Sequence, residues 1–162
     1  MIFVTVGTQF PFDRLVKAVD DAIEQELIQD EVVAQVGLTD YQPRNFEAIA
    51  SMTKEHFDAV LHSASAMISH AGMGSITMAL DQKKPLLVLP RRKVYGEVVN
   101  DHQVDIARKF SQLGHLLMAE EACDLPQALE RLGGFVPQAR HIQTSQIADR
   151  ISQFLNTLTE AR

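Results

Sequence analysis

The chain has 162 residues, 46% apolar and 22% charged, with a formal net charge of −6 at pH 7. That length suits one domain with a sizeable core and is short for two. The acidic balance argues against a sequence-general nucleic-acid binder, which gathers Lys and Arg against phosphates.

A single cysteine, Cys123, allows no internal disulfide and fits a reducing compartment. Strand-like residues begin at Ile2 without a basic leader, and no apolar run nears the roughly 20 residues that cross a bilayer. A cytoplasmic chain is the expectation, any membrane contact being peripheral or through a partner.

Ile2 to Val6 is a β-branched run closed by Gly7, which predicts a buried strand. Phe12, Leu15, Val16, Val19 and Ile23 recur at helical spacing and predict a helix over residues 12–27. Residues 32–36 read as a second strand, 38–45 as a loop around Pro43, and 46–50 as a short third strand. Phe57, Val60, Leu61 and Ala64 mark a helix, 66–69 a strand, 73–83 a helix and 86–89 a strand between two prolines. Residues 91–99 read as a loop, 100–114 as a helix, 115–118 as a strand and 125–132 as a short helix. Ile147, Ile151, Phe154, Leu155 and Leu158 predict a C-terminal helix over about 142–160 that docks on this domain or on a partner.

Strands and helices alternate, and the strands are continuously apolar. Both features predict an α/β, Rossmann-like parallel sheet with helices on both faces. Right-handed crossovers then bring all strand C-termini to one edge, where such sheets bind ligands.

Three loops fall on that edge. Gly7-Thr8-Gln9 follows the first strand. His70-Ala71-Gly72-Met73-Gly74-Ser75 joins a strand to a helix, and its glycines let the backbone approach a ligand. The helix opens with unpaired N–H groups and the positive end of its dipole, so a diphosphate fits there, with Ser75 as a further donor. A tight turn alone would also account for the glycines.

The third loop runs from Pro90-Arg91-Arg92-Lys93 through Gly96-Glu97 to Asn100-Asp101-His102-Gln103. Arg91 is its candidate for gripping phosphate oxygens; Arg92 and Lys93 read more simply as solvated charge. Asn100 with Gln103 reads equally as a capping box, which needs no ligand. No Asp-x-Asp holds a metal between phosphates, the histidines lack ligand spacing, and no Gly-x-Ser-x-Gly elbow is present. Cys123 and the methionines read as packing.

Met1-Ile2-Phe3-Val4-Thr5-Val6-Gly7-Thr8, Ile68-Ser69-His70-Ala71-Gly72-Met73-Gly74-Ser75 and Asn100-Asp101-His102-Gln103 resemble the C-terminal domain of glycosyltransferase family 28. The likeness runs in order over residues 1–132 and is nearest to the split, two-subunit members. These include the cytosolic subunit of the dolichol-pathway N-acetylglucosaminyltransferase and bacterial exopolysaccharide and capsule counterparts.

The resemblance implies the C-terminal, donor-binding half of a GT-B enzyme, with all 162 residues in one nucleotide-sugar-binding domain. It implies an inverting hexosyltransferase subunit that transfers sugar from a UDP-sugar to a lipid-linked saccharide in polysaccharide biosynthesis. A membrane-associated, acceptor-binding subunit would complete the enzyme at the inner face of the membrane. It implies no cofactor and no metal, and a general base on the partner rather than here.

The donor-binding set would be Gly7, Thr8, His70, Gly72, Met73, Gly74, Ser75, Arg91, Glu97, Asn100, His102 and Gln103, with Arg91 and Ser75 stabilising the leaving group. Gln103 would reach the sugar hydroxyls. The chain departs from the family at Met78, where a ribose-binding Glu is expected; Glu97 is the candidate replacement. Two other readings stay open: a non-catalytic subunit that stabilises or regulates a transferase, and an NADP-binding oxidoreductase. The latter would use Gly72 and Gly74 with Arg91 and Arg92, although Thr77 stands where its third glycine belongs.

Overall fold

The computed structural model describes residues 1–139. The helix expected over 142–160 lies outside the described residues.

Six strands form one parallel sheet, β1 (Ile2–Thr5), β2 (Val32–Gln35), β3 (Ala48–Ile49), β4 (Ala66–Ser69), β5 (Leu86–Val88) and β6 (Leu117–Met118), in the order β3-β2-β1-β4-β5-β6. Among the described residues, five α-helices alternate with them: α1 (Asp13–Glu24), α2 (Lys54–Ser63), α3 (Met73–Asp81), α4 (His102–Gln112) and α5 (Leu125–Leu132). The expected architecture is therefore present, and the order reverses beside β1, between its two neighbours β2 and β4.

Strand alternation sorts the buried residues to two faces. Ile2, Val4, Ile68, Leu87 and Leu89 pack with Leu15, Val16 and Val19 of α1 and Leu125, Leu129 and Leu132 of α5. Phe3, Met67, Leu86 and Val88 face the other way, onto Leu61 of α2, Ile76 and Leu80 of α3 and Ala107 of α4. Phe3 and Phe57 meet edge to face with ring centroids 4.9 Å apart, seating α2 on β1.

Most differences from expectation are at ends. The helix expected over 12–27 stops at Glu24, and the backbone turns left-handed at Glu26, φ 59°. Helix α2 starts at Lys54 because Thr53 caps it, its side chain accepting from the His56 amide at 3.2 Å. The strand expected over 46–50 shrinks to two residues, and the loop over 91–99 contains a 3-10 turn, Lys93–Tyr95.

The last residue of each of three adjacent strands is polar and buried: Gln35, Thr5 and Ser69, paired in register. Thr5 donates to Gln35 Oε1 at 2.5 Å, and Ser69 donates to the Thr5 carbonyl at 2.8 Å. The Gly7 amide donates to Thr5 Oγ1 at 3.2 Å, and Gln35 Nε2 donates to the Gly7 and Ala50 carbonyls, each at 3.2 Å. This row satisfies the buried groups and fixes the turn at Gly7.

Asp20 is a buried carboxylate on the apolar face of α1. It accepts from Tyr41 Oη at 2.7 Å and from the Asn45 amide at 2.9 Å and the Arg44 amide at 3.1 Å, which binds the 38–47 loop to the helix. Burial alone would raise its pKa; the hydrogen bonds from Tyr41, Asn45 and Arg44 outweigh this and hold it below 3.8. The bond to Asp20, with burial, pushes Tyr41 up to about 12.

Both groups stabilise the fold across neutral pH. The Asp20 contribution is present above the unfolded pKa of 3.8 and is lost as pH falls through the lower folded value. The Tyr41 contribution is present below 10 and is lost as pH rises towards about 12. Asp20→Ala leaves a phenol and two amides unpaired, so urea unfolding should show a loss of about 3 kcal/mol at pH 7. That loss should shrink below pH 4; a pH-independent loss would contradict this role for the carboxylate.

Candidate functional site

A cleft of about 720 Å³ opens at the C-terminal edge of the strands. The turn after β1 contributes Gly7, Thr8, Gln9 and Phe10; the β4–α3 turn contributes His70, Gly72, Met73, Gly74 and Ser75; the third loop contributes Arg91, Val98, His102 and Gln103. Gln35, Ser51, Met52, Lys54, Phe57, Asp58 and Met78 complete the walls.

Helix α3 begins at this cleft with Gly72 as N-cap, so no side chain satisfies its first amides. Those amides and the helix dipole together favour an anion by about 0.3 to 2 kcal/mol. Ser75, 5% exposed, lies in the first turn with its Oγ 3.3 Å from His70 Nε2.

The His70 ring lies between two glycines. A Cβ on Gly7 would come within 2.7 Å of its Nε2; one on Gly72 would come within 2.7 Å of its Nδ1 and nearer still to Cε1. Gly7 also has φ +77°, a conformation that costs other residues about 1–2 kcal/mol. The motif glycines thus make room for this imidazole as well as for a ligand. Burial, and then the Arg91 charge, push the His70 pKa down to about 4, with Gln103 opposing, so the ring is neutral at pH 7. Its Nδ1 is buried without a hydrogen-bond partner.

The third loop is arranged differently from expectation. Arg91 is only 2% exposed. Its guanidinium donates to the carbonyls of Val6 at 2.6 Å, Phe10 at 2.8 Å and Pro11, and lies 4.5 Å from the centroid of Phe12. Burial lowers its pKa to about 10, and the group is still protonated at pH 7. The fork expected to grip phosphate is thus mostly spent on shaping the turn after β1, while the residue still lines the cleft.

Glu97, the candidate ribose acceptor, is not in the cleft wall. Its carboxylate takes Arg14 through two bonds of 2.9 Å and the Arg92 amide at 2.8 Å, so both of its oxygens are already engaged away from the cleft. Arg14 also donates to the Pro90 carbonyl at 2.7 Å and lies 4.6 Å from the Tyr95 ring centroid. Glu97 thus ties the third loop to α1.

Asn100 is exposed and outside the cleft wall, accepting from the amide and ring of His102. The capping-box reading is also corrected. Asp101 is the N-cap of α4 but makes no side-chain capping bond, its carboxylate accepting from the Lys93 amide at 2.7 Å instead, and the buried Gln103 Oε1 accepts from the Arg91 amide at 3.1 Å. That bond uses one lone pair of the oxygen, which leaves Gln103 its amide N–H groups and a second lone pair for a sugar hydroxyl.

Gly7, Thr8, His70, Gly72, Met73, Gly74, Ser75, Arg91, His102 and Gln103 therefore share one cleft, and Glu97 and Asn100 do not. The α2 end of the wall, with Lys54 and Asp58, was not anticipated. Recognising Thr53 as a cap would have moved the start of α2 to Lys54 and placed both residues one turn apart at the strand edge.

Comparison with known proteins agrees with this geometry. Residues 1–151 match the family model described as "Glycosyltransferase family 28 C-terminal domain". The mouse UDP-N-acetylglucosamine transferase subunit ALG13 is 36% identical over 124 residues, 70% of this chain and 10% of that protein. The human protein of the same name is 32% identical over 125 residues, again 10% of its length. The chain thus spans about a tenth of these relatives.

In fold it resembles the solution structure of an ALG13, with TM-score 0.62, 22% identity and 93% of each chain covered. It also resembles MurG from Acinetobacter baumannii, with TM-score 0.63 and 16% identity, covering 93% of this chain and 49% of that one. A family match over most of the chain, on a parallel sheet whose ligand edge carries the matching turns, shows that this chain belongs to glycosyltransferase family 28 as a C-terminal domain.

Proposed function

We propose that the chain is the donor-binding component of a two-part inverting glycosyltransferase and holds a UDP-sugar in the cleft at the strand edge. The observation that carries this reading is the uncapped start of α3, which opens between Gly72 and Ser75 onto the same cleft as Gly7 and Thr8. The names of the mouse and human relatives, UDP-N-acetylglucosamine transferase subunits, support a uridine nucleotide and a subunit role.

In the proposed reaction an acceptor hydroxyl attacks the anomeric carbon as the bond to the diphosphate breaks. Negative charge then grows on the leaving phosphate. The α3 amides and the Ser75 hydroxyl are fixed donors at that point, so they stabilise the transition state more than the ground state. Neutral His70 adds one N–H, and buried Arg91 contributes its field from behind the turn. These donors require no metal.

The base that takes the acceptor proton belongs, in this reading, to a membrane-associated acceptor-binding partner, and the acceptor is a lipid-linked saccharide of polysaccharide or glycan assembly. The partner covers the open cleft edge, where Phe10 is 53% exposed and Met73 44%. The chain itself works at the cytoplasmic face of the membrane. Membership of the transferase family leaves the oxidoreductase reading without support.

Thermal unfolding with UDP, ADP and NADP⁺ tests the proposal. A ligand at one hundred times its Kd adds about 2.7 kcal/mol of stability. UDP should raise Tm selectively. Equal responses to UDP and ADP would remove the uridine assignment, and a selective NADP⁺ response would overturn the reading.

A further inference from the structure

The α2 side of the cleft differs from the glycine turns. Met52, Phe57 and Met78 make it thioether and aromatic, surfaces without a useful hydrogen-bond acceptor. Among the described residues that line the cleft, Asp58 is the one carboxylate and Lys54 the one lysine. They sit one turn apart on α2, and Lys54 Nζ pairs with Asp58 Oδ2. The Asp58 side chain is 44% exposed and that of Lys54 82%, so the pair is open to a ligand rather than sealed in the core.

A nucleoside diphosphate anchored at α3 extends its sugar and base from that anchor. The sugar carries two adjacent hydroxyls, both donors, and an ionised carboxylate is acceptor-only, with room for two donors. Helix α2 is a firm support, capped by Thr53 and fixed to β1 through Phe57 on Phe3. We propose that Asp58 is the ribose-recognition residue, accepting the nucleotide's hydroxyls, while Lys54 orients the carboxylate. The inference rests on the nucleotide reading above and assigns ribonucleotide specificity to one side chain.

The test compares UDP with 2′-deoxyuridine diphosphate by calorimetry, using wild type, Asp58→Ala and Lys54→Ala. An exposed i,i+4 pair contributes little to stability, so both variants should fold, as circular dichroism would verify. A hydrogen bond to a charged group is worth about ten- to a hundredfold in affinity. Wild type should prefer UDP over the deoxynucleotide by at least about tenfold. Asp58→Ala should bind the two equally, and Lys54→Ala should retain most of the preference.

Equal binding of both nucleotides by wild type overturns the inference while leaving the nucleotide site intact. So does an undiminished preference in Asp58→Ala, or complete loss in Lys54→Ala, which would make the ion pair rather than the carboxylate the determinant. Failure of wild type to bind either nucleotide removes the nucleotide reading and this inference with it.

Discussion

Arg91→Met should cost about 3 to 5 kcal/mol of folding stability, the largest effect expected of any polar substitution near the cleft. Methionine keeps much of the aliphatic stem but leaves the carbonyls of Val6, Phe10 and Pro11 without their donor. It also removes the cation from the Phe12 ring. A buried amide oxygen without a partner costs about 1–3 kcal/mol. Arg91→Lys should recover only part of the loss, because one ammonium on a flexible stem cannot reproduce the planar fork. Urea unfolding would show a lower midpoint at unchanged slope. A loss under about 1 kcal/mol would mean that this clamp is replaceable by solvent and that the guanidinium is free for other work.

The second large effect is expected at Gly72. Its φ of −76° is open to alanine, so the backbone imposes no penalty. The new Cβ would instead meet the His70 ring, within 2.7 Å of Nδ1 and nearer still to Cε1. The ring cannot simply retreat, since the Gly7 backbone lies on its other side. Overpacking of this kind costs about 1–3 kcal/mol, and the displaced imidazole should obstruct the start of α3 and abolish UDP binding.

Adding His70→Ala to Gly72→Ala removes the obstacle and should restore most of the stability. A double variant as unstable as the single one would show that Gly72 is required for another reason.

The parts of this molecule legible in the sequence are those that local pattern determines. Ile2 to Val6, Ala66 to Ser69 and Leu86 to Leu89 are apolar without alternation because both sheet faces are covered, and this gives the parallel architecture directly. Gly72 and Gly74 at a strand-to-helix turn locate the anion site for the same reason.

What escaped depends on register and long-range pairing. Thr5, Gln35 and Ser69 form their polar row only once three strands are aligned. Arg91 meets carbonyls 80 to 85 residues away, and Glu97 meets Arg14 at a separation of 83. Both side chains have the chemistry of a ligand site and are used instead to hold its loops. Asp20 looks like one more solvated charge on α1 until the 38–47 loop folds over it. A charged residue beside a motif thus offers two uses to the fold, and sequence spacing does not distinguish them.

The α3 N-terminus and the turn after β1 together are expected to bind a uridine diphosphate. Amide NMR spectra recorded during a UDP titration test it most directly, because they report affinity and location at once. Saturable shifts should be concentrated at Gly7, Thr8, Gly72, Met73, Gly74 and Ser75. Little change is expected at Asn100 or in α5, on the opposite face of the sheet. Saturable binding that leaves the Gly72 to Ser75 amides unmoved, or no binding at millimolar UDP, would contradict it.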